Sequence, residues 1–249
     1  MQIYFIRHAQ SENNHLYDIG GPVDGRSEDP DLTPKGEKQL EALRKFFSPS
    51  VDLPINKLDT EKDPQNRLGF RFSHLYASPM IRAVKTGWAV ASLFNLPLQL
   101  WIDIHETGGI FLDNKDEDPI ILPGKNSNYF TKTFPGILLD EGITYQGWWN
   151  KPIETREERP TRAKRVWDRI LSTHMPDDSI ALFSHGGFYN HLLTAVLGLY
   201  PLETDYVKEK FFFELNNTGI TRIDVDFEKE KVRILYNNKV DFLPNDLIT

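Results

Sequence analysis

Apolar positions along the chain fall into short continuous runs separated by stretches with a helical period. Ile3-Tyr4-Phe5-Ile6 and Ile180-Ala181-Leu182-Phe183 are runs of strand length, the pattern of strands buried on both faces of a sheet. Between them, Leu40, Leu43, Phe46 and Phe47 share one helical face behind Thr33-Pro34, an N-cap followed by a proline at the first helical position. Ile81, Val84, Trp88 and Ala91 predict a second helix over 80–94, with Ser78-Pro79 as its cap and first residue. Ala163, Val166, Trp167, Ile170 and Leu171 predict a third over 160–174, and a fourth runs from Phe188 to about Leu197 with Gly198 as C-cap. Residues 70–77 and 98–104 read as further strands. Later come 210–215, 218–227 and 232–236, the last two joined by a hairpin through Glu228-Lys229-Glu230.

Strands alternating with helices predict an α/β fold, a three-layer α/β/α sandwich with a mostly parallel central sheet. Two stretches lack a period. Residues 48–67, with Pro49, Pro54 and Pro64, read as a surface excursion. Residues 112–151 are dense in Gly, Pro, Asp and Asn but carry Tyr129, Phe130, Phe134, Tyr145, Trp148 and Trp149, so they form either an ordered lid or an insertion packed on the side of the domain. The expectation is a single domain over 1–249 with an insertion at about 112–151.

Composition narrows the function classes. Twenty-nine Lys and Arg against 36 Asp and Glu leave a net charge of −7, which disfavours a nucleic-acid or anionic-membrane partner. The chain has no cysteine, which excludes disulfides, thiolate catalysis and cysteine-ligated metal. No run approaches the ~20 apolar residues that span a bilayer. A soluble, cytoplasmic protein is expected. His15, His74, His174 and His191 lack the spacing of a metal site, and neither a metal nor a cofactor is expected.

Candidate chemistry collects at the ends of expected strands: Arg7-His8, Arg82, Glu106 and His185. A parallel sheet brings such ends to one edge. Two arginines supply bidentate donors suited to phosphate, and the Gly186-Gly187 turn at a helix N-terminus offers backbone N–H groups to an anion. Two histidines supply a nucleophile and a charge partner, and a carboxyl group can protonate the leaving oxygen. Asp103 and His105 compete with Glu106 for that last role, and Asn216-Asn217-Thr218-Gly219 reads either as part of the substrate mouth or as a tight turn. The set suits metal-free phosphoryl transfer on a small phosphorylated substrate.

Arg7-His8-Ala9-Gln10-Ser11 resembles the Arg-His-Gly signature of the histidine phosphatase superfamily, in its phosphoglycerate-mutase-like branch. Asn14 stands where that branch has a phosphate-contacting Asn. Ser78-Pro79-Met80-Ile81-Arg82-Ala83-Val84-Lys85-Thr86 is similar to its Ser-Pro-x-x-Arg-Ala-x-x-Thr segment, Glu106 matches its acid by order, and Ser184-His185-Gly186-Gly187 matches its second histidine motif. The resemblance implies that His8 attacks phosphorus and becomes a phosphohistidine. Arg7, Asn14, Arg82 and His185 would hold the phosphoryl oxygens, with Ser11 and Gly186 as further phosphate contacts, and Glu106 would serve as acid and then base. Two departures stand out. Ala9 replaces the usual glycine, and Thr107-Gly108-Gly109 follows Glu106 where a phosphoglycerate mutase would have Arg-His-Tyr. The second favours a phosphatase over a mutase; a non-catalytic member that binds phospho-ligands or proteins is the third reading.

Overall fold

Alternation along β1 (Gln2–Arg7) sends Ile3 and Phe5 to one face and Tyr4 and Ile6 to the other, and all four are buried. A strand covered on both faces needs a layer on each side. In the computed structural model, which describes residues 1–21, 25–48, 63–114, 117–199 and 211–249, those layers are helices.

After β1 come α1 (Glu12–Asp18), α2 (Pro34–Phe47), β2 (His74–Ala77), α3 (Ile81–Phe94) and β3 (Leu98–Leu100). A two-stranded ribbon of β4 (Phe111–Leu112) and β5 (Ile120–Ile121) precedes α4 (Ser127–Thr133). Then follow α5 (Glu158–Thr173), β6 (Ser179–Ser184), α6 (Gly186–Val196), β7 (Ile220–Asp226) and β8 (Lys231–Lys239). The described strands of the main sheet run in the order β3-β2-β6-β1-β7-β8. The first four are parallel; β7 and β8 extend the sheet antiparallel, through the expected hairpin.

Tyr4, Ile6, Ala181 and Phe183 pack with Leu43 and Phe47 of α2 and Val84 of α3, whereas Ile3, Phe5, Ile180 and Leu182 pack with Val166 and Ile170 of α5 and Leu192 of α6. The three-layer sandwich follows from that two-sided burial. Phe130, Phe134, Trp148 and Trp149, from the aperiodic 112–151 stretch, join the α2/α3 side. Leu138 continues the sheet past β3, accepting from Leu100 N at 2.8 Å and donating to Leu98 O at 2.9 Å. No described helix is long and apolar enough to cross a membrane.

Several expected boundaries move. The stretch 98–104 divides into β3 and a 3₁₀ turn at Ile102–Ile104, and the strand expected over 70–77 begins at His74. Phe70 and Phe72 instead pack edge-on against Phe47, with ring centroids 4.5 and 5.6 Å away. Helix α3 starts after an N-cap at Met80 rather than at Ser78, whose hydroxyl is engaged by His185. Phe211 to Leu215 form no strand, because side chains take their backbone groups: Phe213 N donates to Asn190 Oδ1 at 2.9 Å and Leu215 O accepts from Arg7 at 2.7 Å. Residue 210 of that expected strand, and 49–62 of the expected surface excursion, lie outside the described residues.

Helix α2 packs on the loop that follows β1 through Gly36, where an added Cβ would overlap the Gln10 carbonyl oxygen. That contact is with backbone, which cannot swing aside. Gly36→Ala is therefore expected to lower stability by about 1–3 kcal/mol despite its better helix propensity, measured as a fall in the urea midpoint at unchanged slope.

Candidate active site

Arg7 of β1 pairs with Ser184 of β6, so His8 and His185 leave two adjacent parallel strands side by side. His8 N donates to Ser184 O at 2.9 Å, the imidazole centroids lie 5.0 Å apart, and both side chains are buried. The partners of His8 fix its tautomer. Nδ1 lies 2.7 Å from the Ala9 carbonyl, which can only accept, so Nδ1 carries the proton. Nε2 receives the Arg82 Nε–H at 3.2 Å and so presents a lone pair. Burial first, then the charges of Arg82 and Arg7, push the His8 pKa well below 6.5. The same causes, with burial again first and Arg82 next, depress His185.

Arg82 sits in the first turn of α3, buried between the two histidines and Met80, whose sulfur accepts from Nη2 at 3.2 Å. Thr86, one turn on, braces the same loop: its hydroxyl donates to Arg82 O at 2.8 Å and accepts from Ala9 N at 3.1 Å. Ala9 does not adopt a positive φ, so its methyl group adds no backbone strain where the family pattern has glycine. Arg7 is anchored through one nitrogen to Leu215 O. Arg7 Nε, Arg82 Nη1 and His185 Nδ1 are buried without a hydrogen-bond partner. Buried polar atoms are normally paired. Arg7 Nε and His185 Nδ1 are thereby left as buried donors open to an anion, whereas Arg82 Nη1 stands 3.7 Å from Asp29 Oδ1.

Glu106 follows the 3₁₀ turn after β3 and reaches the N-terminus of α6. Its Oε1 accepts from Thr107 N at 2.8 Å and Phe188 N at 2.9 Å, and its Oε2 from Gly187 N at 3.2 Å. A Cβ on Gly187 would overlap Oε1, so glycine is what lets the carboxylate reach these amides. The anion expected at the Gly186-Gly187 turn is thus supplied, at Gly187, by the protein itself. The Glu106 charge acts on both Arg7 and Arg82, and Gly186 lies against the Arg7 guanidinium.

The loop that carries Glu106 is held by a buried ion pair. Arg162 of α5 binds Glu154 through Nε and Nη2 at 2.5 and 2.7 Å, and its Nη1 donates to Asp103 O and His105 O at 2.7 and 3.0 Å. His105 turns its ring toward Trp149, 4.8 Å between centroids, and burial pushes its pKa down to about 3. Asp103 faces Arg165 at 3.2 Å. Of the three acids weighed from sequence, Glu106 alone has contacts and charge coupling that place it with the arginines of the site.

Ser11 and Asn14 form the capping box of α1, and Asn14 Oδ1 also accepts from Asn217 Nδ2 at 3.2 Å. Asn217 Nδ2 donates as well to His8 O, 2.9 Å away. Asn216-Asn217-Thr218-Gly219 is therefore a tight turn whose second residue braces the loop after β1. Its own carbonyl oxygen, Asn217 Oδ1, accepts from Thr249 Oγ1 at 3.1 Å; that hydroxyl accepts from Gln39, which accepts in turn from Gln10 N at 2.7 Å. Sequence reading missed Ser78, Gln39 and Thr249 as parts of this framework. The Asn216–Gly219 motif was the one visible signal.

The sequence model of the histidine phosphatase superfamily, branch 1, matches residues 3–55 and 124–238. No curated protein matches the chain significantly. Among solved structures, a mutant phosphoserine phosphatase of Entamoeba histolytica in complex with phosphoserine superimposes with a TM-score of 0.56 at 17% identity, covering 98% of this chain and 99% of that one. The same organism's phosphoserine phosphatase in complex with 3-phosphoglyceric acid gives 0.55 at 18% identity and the same coverage. Mycobacterial glucosyl-3-phosphoglycerate phosphatase gives 0.55 at 17% identity, covering 96% of this chain and 99% of its own. At these identities the likeness is one of fold.

Both site histidines are held unprotonated in the folded state. At pH about 6.5, where a free imidazole is half protonated, NMR is expected to show His8 and His185 neutral, with the His8 proton on Nδ1. As the pH falls below that value the unfolded chain takes up protons that the folded chain refuses. Stability should therefore decline toward acid, and His8→Gln should flatten part of that decline in denaturant titrations.

Proposed function

The chain belongs to branch 1 of the histidine phosphatase superfamily, and on that premise we propose that it is a metal-independent phosphomonoester hydrolase working through a phosphohistidine on His8. One observation carries the reading: a buried, neutral imidazole whose Nε2 lone pair faces a cluster of cationic donors. In the first half-reaction Nε2 attacks phosphorus, the N–P bond forms, and the bond to the leaving alkoxide breaks as protonated Glu106 delivers its proton. In the second, Glu106 takes a proton from water as the water attacks the phosphohistidine, returning His8 and inorganic phosphate.

Arg82 must leave the lone pair as the phosphoryl group enters, and its N–H then serves a phosphoryl oxygen together with the unpartnered nitrogens of Arg7 and His185. Asn14, whose Oδ1 is occupied, contributes through Nδ2. Ser11 contributes through the cap that sets Asn14, and Gly186, beside the Arg7 guanidinium, through its backbone N–H at the start of α6. The donor set combines two guanidiniums with neutral N–H groups, which suits direct binding of a phosphoryl anion.

The substrate is a small phosphorylated metabolite, the ligand class seen in the two E. histolytica complexes. We take 1–249 as one domain with 112–151 as an insertion, and the contacts of Trp148 and Trp149 with His105 support a role for that segment on the leaving-group side. Thr107, whose amide is spent on the Glu106 carboxylate, brings no basic side chain beside the acid, which favours hydrolysis over a mutase cycle.

In chelator-treated buffer the wild type should hydrolyse a panel of phosphomonoesters, including 3-phosphoglycerate with and without a bisphosphate primer, and His8→Ala should not. Lack of wild-type turnover, or turnover that survives His8→Ala, would sink the assignment. Glu106→Gln is expected to cost ~10²-fold or more in kcat on an alkyl phosphate and far less on p-nitrophenyl phosphate, whose leaving group departs without a proton. Equal losses on both would remove Glu106 from the acid role.

A further inference from the structure

Asp29 lies in the loop before α2 and touches the central arginine of the site. Its side chain is 2% exposed, and Oδ1 accepts from Ile81 N at 2.9 Å while standing 3.7 Å from Arg82 Nη1. Oδ2 and Nη1 are both buried and neither has a hydrogen-bond partner. Capping α3 explains only Oδ1, and a serine or asparagine would do that without burying a charge. Tying the loop to α3 is already accomplished one turn on, where Lys85 grips Asp31 at 2.5 and 2.7 Å. What the buried Asp29 carboxylate adds is a charge against the guanidinium. Arg82 is otherwise held by Met80 sulfur and by the very His8 lone pair it must release.

We propose that Asp29 is a positioning residue for Arg82, holding the Nη1 edge of the guanidinium in place when Nε lets go of His8, so that the N–H groups stay aimed at the phosphoryl oxygens. The proposal rests on the hydrolase reading above. Charged groups acting on Asp29 are Arg82 from α3, Lys125 ahead of α4 and Glu28 from its own loop, and burial outweighs the cations to push its pKa up to about 6. Above that value the carboxylate is charged and holds Arg82; below it the protonated group does not. Asp29→Asn copies the protonated state at every pH.

The test uses p-nitrophenyl phosphate with the wild type, Asp29→Asn and Asp31→Asn. At pH about 7.5 Asp29→Asn should lose about tenfold in kcat/KM, less than the loss of a whole donor. The ratio of wild-type to Asp29→Asn kcat/KM should then shrink toward one as the pH is lowered to about 5; the ester's own second pKa near 6 cancels in that ratio. Asp31→Asn, which loosens only the outer tie, should show a ratio independent of pH. Should Asp29→Asn fail to fold, Asp29→Ser keeps a cap for Ile81 N and should show the same pH-dependent loss. A ratio for the Asp29 variants that does not change with pH, or wild-type activity in Asp29→Asn or Asp29→Ser, overturns the proposal. A wild type without turnover overturns the hydrolase reading together with this one. Turnover that His8→Ala abolishes and Asp29→Asn leaves intact overturns this one alone.

Discussion

Arg7 and Ser184 pair across two parallel strands, so the residues that follow them leave the sheet at neighbouring points and in the same direction. That register makes a site out of two histidines 177 positions apart, the separation of His8 and His185 in the chain. A slip of β1 by one residue would turn Ile3 and Phe5 away from their layer and move one imidazole away from the other. Hydrophobic patterning and the geometry of the histidine pair are therefore set by the same contacts. The strands between two helical layers have no freedom to shift without exposing apolar side chains, and the histidines inherit that rigidity.

Charge is then arranged around the fixed pair. Burial first, and then the positive charge of two guanidiniums, keep both imidazoles unprotonated. Glu106 partly offsets that charge, and it can do so because the α6 N-terminus binds its carboxylate at two amides while Thr107 N provides a third. The loop bringing Glu106 there is fastened by Arg162 and Glu154, a buried pair whose guanidinium also satisfies two backbone carbonyls. A bidentate pair whose groups take further hydrogen bonds, to Gly108 N on the carboxylate and to two carbonyls on the guanidinium, is the form in which buried charge serves geometry at a reduced penalty.

The parts legible in the sequence were those in which burial writes a period. Helices α2, α3, α5 and α6 were visible because each hides one face, and β1 and β6 because each is buried on two. Helix α1 was invisible since none of its residues is buried and only its Ser11–Asn14 capping box marks it. Phe211 to Leu215 carried a strand's composition, yet Asn190 and Arg7 took hydrogen bonds that a neighbouring strand would have made. His8, His185, Arg7, Arg82 and Glu106 were visible as strand ends of suggestive chemistry. Ser78, Gln39 and Thr249 act through hydrogen bonds to residues up to 210 positions away, and no local pattern records such bonds.

These long-range polar contacts answer a difficulty that the site creates. Three buried nitrogens without partners cost on the order of 1–3 kcal/mol each, a sizeable fraction of the 5–15 kcal/mol by which a domain is stable. Left to itself such a loop would relax, turning those donors toward nearby carbonyls or solvent. Asn217 on the His8 carbonyl, Thr86 on the Ala9 amide and Gln39 on the Gln10 amide occupy the backbone groups through which the loop would otherwise rearrange. With backbone groups occupied on three successive residues, the cost stays on the side-chain nitrogens of Arg7, Arg82 and His185, and the framework that carries them stays in place.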